Sequence, residues 1–158
     1  MKTKIFRTLL SMSLIIITTI SLSHGNKHEK PENPLFAGLD SKAAKVVTQF
    51  RKALMTGDVK LANSLLSKDV LIYESGNAER SSLEYVSGHM LADMKYLSSI
   101  QSEQIEHQVK VSGDVAISTS QSKITKKDAG KTSERISMET IVITKIDGKW
   151  LITHIHWS

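Results

Sequence analysis

From Ile100 to the C terminus, apolar side chains recur at every second position, a period that no helix can use. Ile105, His107, Val109 and Val111 alternate with Gln104, Glu106, Gln108 and Lys110. Gly113 and Asp114 mark a turn, and Val115, Ile117 and Thr119 start a second strand toward Lys127. A third strand runs from about Ser133 to Ile146, and Asp147-Gly148 is a strong two-residue hairpin signal before a last strand from Lys149 to Trp157. Four consecutive strands joined by short turns demand an antiparallel sheet. Everything upstream must supply what covers it.

The upstream part reads as helices. Asp40 or Ser41 can cap a helix carrying Ala43, Val46, Val47, Phe50 and Leu54 on one face. Gly57 ends it, and Asp58 caps a shorter helix with Leu61, Leu65 and Leu66. Val70 to Glu74 is a short strand closed by Ser75, Gly76 and Asn77. Ser81 and Glu84 stand three apart, as in a capping box, ahead of a third helix with Leu83, Val86, Met90, Met94 and Leu97. The class is α+β, with helices packed on one face of a mostly antiparallel sheet. The fold should start near Leu39, after a polar leader over residues 24–38 that contains Pro31 and Pro34.

The formal charge of +5 raises the question of nucleic acid. Three of the cations, Lys2, Lys4 and Arg7, precede an apolar run from Leu9 to Leu22 and a small-residue exit at Ser21 and Ser23. That is the layout of a signal peptide over residues 1–23. The run is about 14 residues, short of the roughly 20 that span a bilayer. The expectation is an exported protein, periplasmic or secreted, with no membrane contact after cleavage. What remains is near neutral, with 5% aromatic residues over the whole chain, so it has neither the basic stripe nor the stacking platforms of a nucleic-acid binder. No Gly-rich phosphate loop, Gly-x-Ser-x-Gly elbow or His-Glu-x-x-His helix occurs, and the reading requires no cofactor.

A two-residue turn at Asp147-Gly148 pairs Ile146 with Lys149. Straight pairing then sets Lys145 opposite Trp150, Ile143 opposite Ile152, Ile141 opposite His154 and Glu139 opposite His156. With the Trp150 side facing inward, Glu139, His154 and His156 converge at one end of a concave sheet. A carboxylate beside imidazoles is an acid/base set in outline, and these three are the candidate catalytic residues. His89, on the apolar stripe of the third helix, reaches toward the same cavity. Tyr73 and Glu74 at a strand end, Arg80 and Trp150 complete the candidate ligand-binding set. His154, His156 and His89 are also a candidate metal site. The other side of the sheet, with Trp157, suits a subunit interface.

The order of elements is similar to the nuclear transport factor 2-like superfamily, which includes ketosteroid isomerase and SnoaL-like polyketide cyclases. The stretch from Asp147-Gly148-Lys149-Trp150-Leu151-Ile152 to His154-Ile155-His156-Trp157-Ser158 resembles the closing hairpin of SnoaL-like domains. The helix with Phe50, Gly57 and Asp58, and the segment from Val70 to Gly76, fit the same pattern. The resemblance covers about residues 39–158. It implies a cone-shaped barrel whose curved sheet wraps three N-terminal helices around a pocket, and homodimers through the outer sheet face. The isomerases' aspartate base with its Tyr and Asp oxyanion pair finds no match among the proposed pocket residues. The cyclases' acid/base carboxylate or histidine is nearer to Glu139, His154 and His156. The function expected is binding of a small apolar or amphipathic ligand, with weak isomerase or cyclase chemistry. The alternatives are a periplasmic metal-binding protein and a non-catalytic dimerisation module.

Overall fold

The computed structural model describes residues 33–158. The expected signal peptide and most of the leader lie outside them. A two-residue strand β1 (Phe36–Ala37) leads into helices α1 (Lys42–Thr56) and α2 (Val59–Ser64). Strands β2 (Leu66–Glu74) and β3 (Asn77–Glu79) follow, then helices α3 (Ser82–Ser87) and α4 (Met90–Ser98). Four long strands close the chain: β4 (Gln101–Ser112), β5 (Val115–Asp128), β6 (Lys131–Ile146) and β7 (Lys149–Trp157). They form one curved sheet in the order β1-β4-β5-β6-β7-β2-β3. The fold is α+β, as read from the sequence, but the sheet is open: β1 and β3 end it and do not join. Among the described residues, no helix is long and apolar enough to cross a membrane.

Helix α1 is held at both ends. Ser41 Oγ accepts the Ala44 N–H at 3.1 Å, a cap worth about 1 kcal/mol. Gly57 ends the helix at φ 73°, where a side chain would be strained. The apolar face between buries Ala43, Ala44, Val47, Phe50, Ala53 and Leu54 against the sheet. The expected third helix is two helices. Gly88 leaves helical geometry at φ −107°, ψ −95°, and the chain restarts at Met90. The described residues therefore form four helices rather than three. The structure also extends upstream of Leu39: Phe36 and Ala37 pair in parallel with His107 and Gln108. At Gly38 a Cβ would lie 2.0 Å from the Val109 carbonyl oxygen, so only glycine lets β1 approach β4.

The sheet buries a row across five strands that is apolar except for Ser118: Ile72, Ile155, Ile141, Ser118 and Val109. Reaching this row required a change of register in the last hairpin. Pairing follows expectation from Ile146–Lys149 to Ile143–Ile152, and then Val142 pairs with His154 rather than with Thr153. Thr153 is the extra residue of a β-bulge. Its hydroxyl is 3.0 Å from Thr144 Oγ1. One inserted residue exchanges the two faces of every residue after it. Ile152 and Ile155, an odd three positions apart, are thereby both fully buried. The physical reason is hydrophobic: straight pairing would bury His154 and His156 and expose Ile155 and Trp157.

Candidate functional site

The bulge builds the site. Next to the apolar row, one step along the strands, lies a polar row. Glu74 of β2 pairs with Trp157 of β7, Trp157 with Glu139 of β6, Glu139 with Ser120 of β5, and Ser120 with His107 of β4. This row lies under a cavity of about 480 Å³, within the usual range for small-molecule sites. Helix α1 and the α4 region supply an apolar wall of Leu54, Met55, Leu97 and Ile100. Farther along the strands the sheet adds hydroxyls from Ser102, Ser122 and Ser137.

The floor of the cavity is a saturated hydrogen-bond network. Arg51 of α1 donates from Nε (2.8 Å) and Nη2 to Glu139 Oε1, and from Nη2 to Ser120 Oγ at 2.7 Å. Trp157 Nε1 donates to Glu139 Oε2 at 2.7 Å. Three N–H groups thus converge on one carboxylate. Arg51 Nη1 also lies 3.4 Å from His107 Nδ1. A guanidinium can only donate, so Nδ1 accepts and the ring proton sits on Nε2, 2.9 Å from Ser118 Oγ. Burial, and then the charge of Arg51, push His107 down to about 4, against an upward pull from Glu139. At neutral pH this histidine is a neutral strut.

The mouth is different. Glu74 and Asp93 of α4 both line the cavity, and both carboxyls are raised above their ordinary range. Burial is the main cause for each. The charges of Asp93 and Glu79 add to the rise at Glu74, while His89 and Arg135 oppose it. For Asp93, the Tyr85 hydroxyl and His89 pull downward, and Glu79 pushes up. Tyr85 Oη donates to Asp93 Oδ2 at 2.8 Å, and burial and that neighbour hold the phenol protonated. Arg135 and Tyr96 stand on the same rim, with Arg135 Nη2 donating to Tyr96 Oη at 3.1 Å.

The candidates read from the sequence are dispersed by this geometry. Glu139 and Glu74 line the cavity as expected. His154 and His156 do not join Glu139, because the bulge turns both to the outer face. There the half-exposed Tyr73 meets their rings edge-on, at centroid distances of 5.5 and 6.5 Å. His89 is the exposed residue between α3 and α4 and pairs with the buried Glu79, not with a cavity group. That hydrogen bond raises its pKa above the ordinary histidine value. Arg80 is exposed, its backbone N–H donating to Glu84 Oε2 at 2.7 Å. Trp150 packs on the core and does not line the cavity. Trp157, expected on an outer interface, faces inward against Tyr85, 6.2 Å between centroids. The metal site expected from His154, His156 and His89 is not assembled. Among the described residues, no three His, Cys, Asp or Glu side chains are arranged to hold a metal.

Arg51 is the site residue that the sequence reading missed. It lies four residues after Val47 and three before Leu54, so a cation interrupts the buried stripe of α1. A charge on an apolar face needs a partner, and that was its signal. Asp93, one turn after His89, accepts from Tyr85 at the cavity rim.

Residues 43–158 match the SnoaL-like domain. The chain belongs to the SnoaL-like family. A crystal structure from Shewanella frigidimarina, described as a candidate ketosteroid isomerase, is 47% identical. The match covers 78% of this chain and 99% of that one, with a TM-score of 0.74. The association domain of C. elegans CaMKII is 20% identical over 72% of this chain and 90% of its own, with a TM-score of 0.59. A nuclear transport factor 2-like protein with a cystatin-like fold from Novosphingobium aromaticivorans is 13% identical, covering 72% and 76%, also at 0.59. The last two share the fold alone. No curated protein matches the chain. As a SnoaL-like domain, the molecule places its polar groups where members of a fold can differ, on the concave face of a common sheet.

Proposed function

We propose that the cavity binds a small, largely apolar molecule and that Asp93 and Glu74 move a proton on it, in chemistry of the isomerase type. The observation that carries this reading is the pair itself: two carboxyls lining one cavity, each raised above its ordinary range chiefly by burial. Burial makes the charged form of each costlier than in water, and the charge of Asp93 adds to that at Glu74, so the pair holds and returns a proton more readily than free carboxylates do. Asp93 is the better base because the Tyr85 hydroxyl fixes one of its oxygens. It would accept a proton from a carbon next to a ligand carbonyl and return it to another carbon. Glu139 plays a different part from the one its sequence position suggested. With Arg51 and Trp157 on both oxygens it anchors the floor.

The test is solvent deuterium incorporation into an enolisable apolar ketone, 2-tetralone, followed by NMR. The protein should accelerate exchange over buffer, and Asp93→Asn should remove about 10²–10⁴-fold, the usual worth of a positioned base. An exchange rate equal to buffer, or unchanged in both Asp93→Asn and Glu74→Gln, overturns the reading.

Export rests on the Lys2–Ser23 pattern, and we propose a periplasmic or secreted location that N-terminal sequencing of the mature protein tests. A homodimer through the outer sheet face is favoured by Ile117 and Met138, which are 48% and 51% exposed there. The C. elegans relative's role as an association domain is compatible with it. Sedimentation of Ile117→Glu should give a monomer if that face pairs, and an unchanged dimer would refute it.

A further inference from the structure

Three cations line the cavity, and they are not equivalent. Arg51 is consumed by Glu139. Lys52 of α1 and Arg135 of β6 line the same cavity, and among the described residues neither touches a carboxylate. Arg135 spends one N–H on Tyr96 Oη, and the hydroxyls of Ser102, Ser122 and Ser137 line the same cavity. The acid next to it in sequence, Glu134, is on the opposite face and engages Lys123 at 2.9 Å. The rim therefore holds a guanidinium fork that makes no ion pair among the described residues, although Glu74 and Asp93 line the same cavity.

We infer that the molecule taken by this cavity is an amphipathic carboxylate, its apolar body against Leu54, Leu97 and Ile100 and its single negative charge on Arg135 at the mouth. This rests on the cavity being a binding site, and it narrows what binds there. Charge count supports it. With Arg51 paired to Glu139, the cavity keeps two cations, Lys52 and Arg135, that no carboxylate pairs with among the described residues. A planar guanidinium matches a carboxylate with two parallel N–H···O bonds. A neutral Glu74 or Asp93 can add an O–H donor to the same group.

The experiment compares 4-phenylbutyrate with 4-phenylbutyramide, which share a body and differ in charge, by calorimetry on the full chain and on Arg135→Gln and Arg135→Lys. The carboxylate should bind at least tenfold more tightly than the amide. Arg135→Gln should abolish that preference and leave amide affinity within twofold. Arg135→Lys should keep a reduced preference, since it retains the charge and loses the fork. Equal affinities for the two probes, or a preference that survives Arg135→Gln, overturn this inference while leaving the cavity as a binding site. Binding of neither probe overturns both. Thermal unfolding of each variant checks that the loss is not a folding defect.

Discussion

One cavity holds two polar clusters with opposite habits. On the floor, Arg51, Glu139, Trp157, Ser120, His107 and Ser118 satisfy one another, with a donor on each oxygen of Glu139 and a partner on each nitrogen of His107. At the mouth, Asp93 raises Glu74 and Arg135 lowers it, yet among the described residues only the Tyr85–Asp93 and Arg135–Tyr96 bonds tie these side chains down. The floor behaves as structure, because moving any proton there breaks a buried bond. The mouth can exchange protons and ligands, because its groups are part-hydrated and burial lifts both carboxyls above their ordinary range. A carboxylate's presence in a pocket therefore says less about its role than the number of donors already spent on it.

The comparison can be broken at its strongest point first. Arg51→Met leaves Glu139 largely buried without its cation and His107 without a donor. It should destabilise the fold by about 3–5 kcal/mol in urea unfolding. Adding Glu139→Leu to Arg51→Met should recover part of that loss, since no charge is then left unpaired. A small effect from Arg51→Met alone would show that the floor is not a closed network.

The pH dependence separates the clusters by sign. His107 is depressed in the fold, so the unfolded chain binds its proton first as pH falls. Stability should therefore drop between about 6.5 and about 4 and level off below, by up to roughly 3 kcal/mol. His107→Asn should flatten this slope. Glu74 and Asp93 are raised, so their contributions run the other way: the fold gains stability as pH falls through their folded midpoints. Asp93→Asn, which removes a carboxyl that burial penalises, should leave the protein at least as stable as the parent at pH 8 by thermal unfolding. A loss of more than about 1 kcal/mol would mean that Asp93 is a structural anion like Glu139.

The smallest effect is expected outside the cavity. The double variant His154→Ser/His156→Ser, on the outer face with Tyr73, should change stability by no more than about 1 kcal/mol and leave ligand affinity unaltered. A tenfold change in affinity would put the two imidazoles back in the site.

Most of the architecture was legible in the sequence because periodicity is local. The α1 stripe, the Gly57 stop, the capping box before α3 and the hairpin at Asp147-Gly148 each write their geometry within a few residues. The site was less legible because it depends on one unpaired residue. Glu139 and Glu74 were found, but straight pairing put His154 and His156 beside Glu139. The correcting signal is a change of parity in β7. Trp150 and Ile152 keep even positions, whereas Ile155 and Trp157 keep odd ones, and all four are apolar. A strand can bury both pairs only with a bulge between them. The break at Gly88 was hidden in a continuous apolar stripe, and it removed His89 from the cavity by ending α3 before it. Tertiary partners such as Arg51 with Glu139, 88 residues apart, leave only a misplaced charge as a local trace.

The central claim is that the proton-exchanging groups are the mouth pair. Carboxyl-carbon NMR titration of Asp93 and Glu74, assigned with Asp93→Asn and Glu74→Gln, tests it without any ligand. The account predicts that both carboxyls titrate above the ordinary carboxylate range and that removing Asp93 lowers the midpoint of Glu74. Two independent titrations near 4, each unmoved by loss of its neighbour, would contradict it.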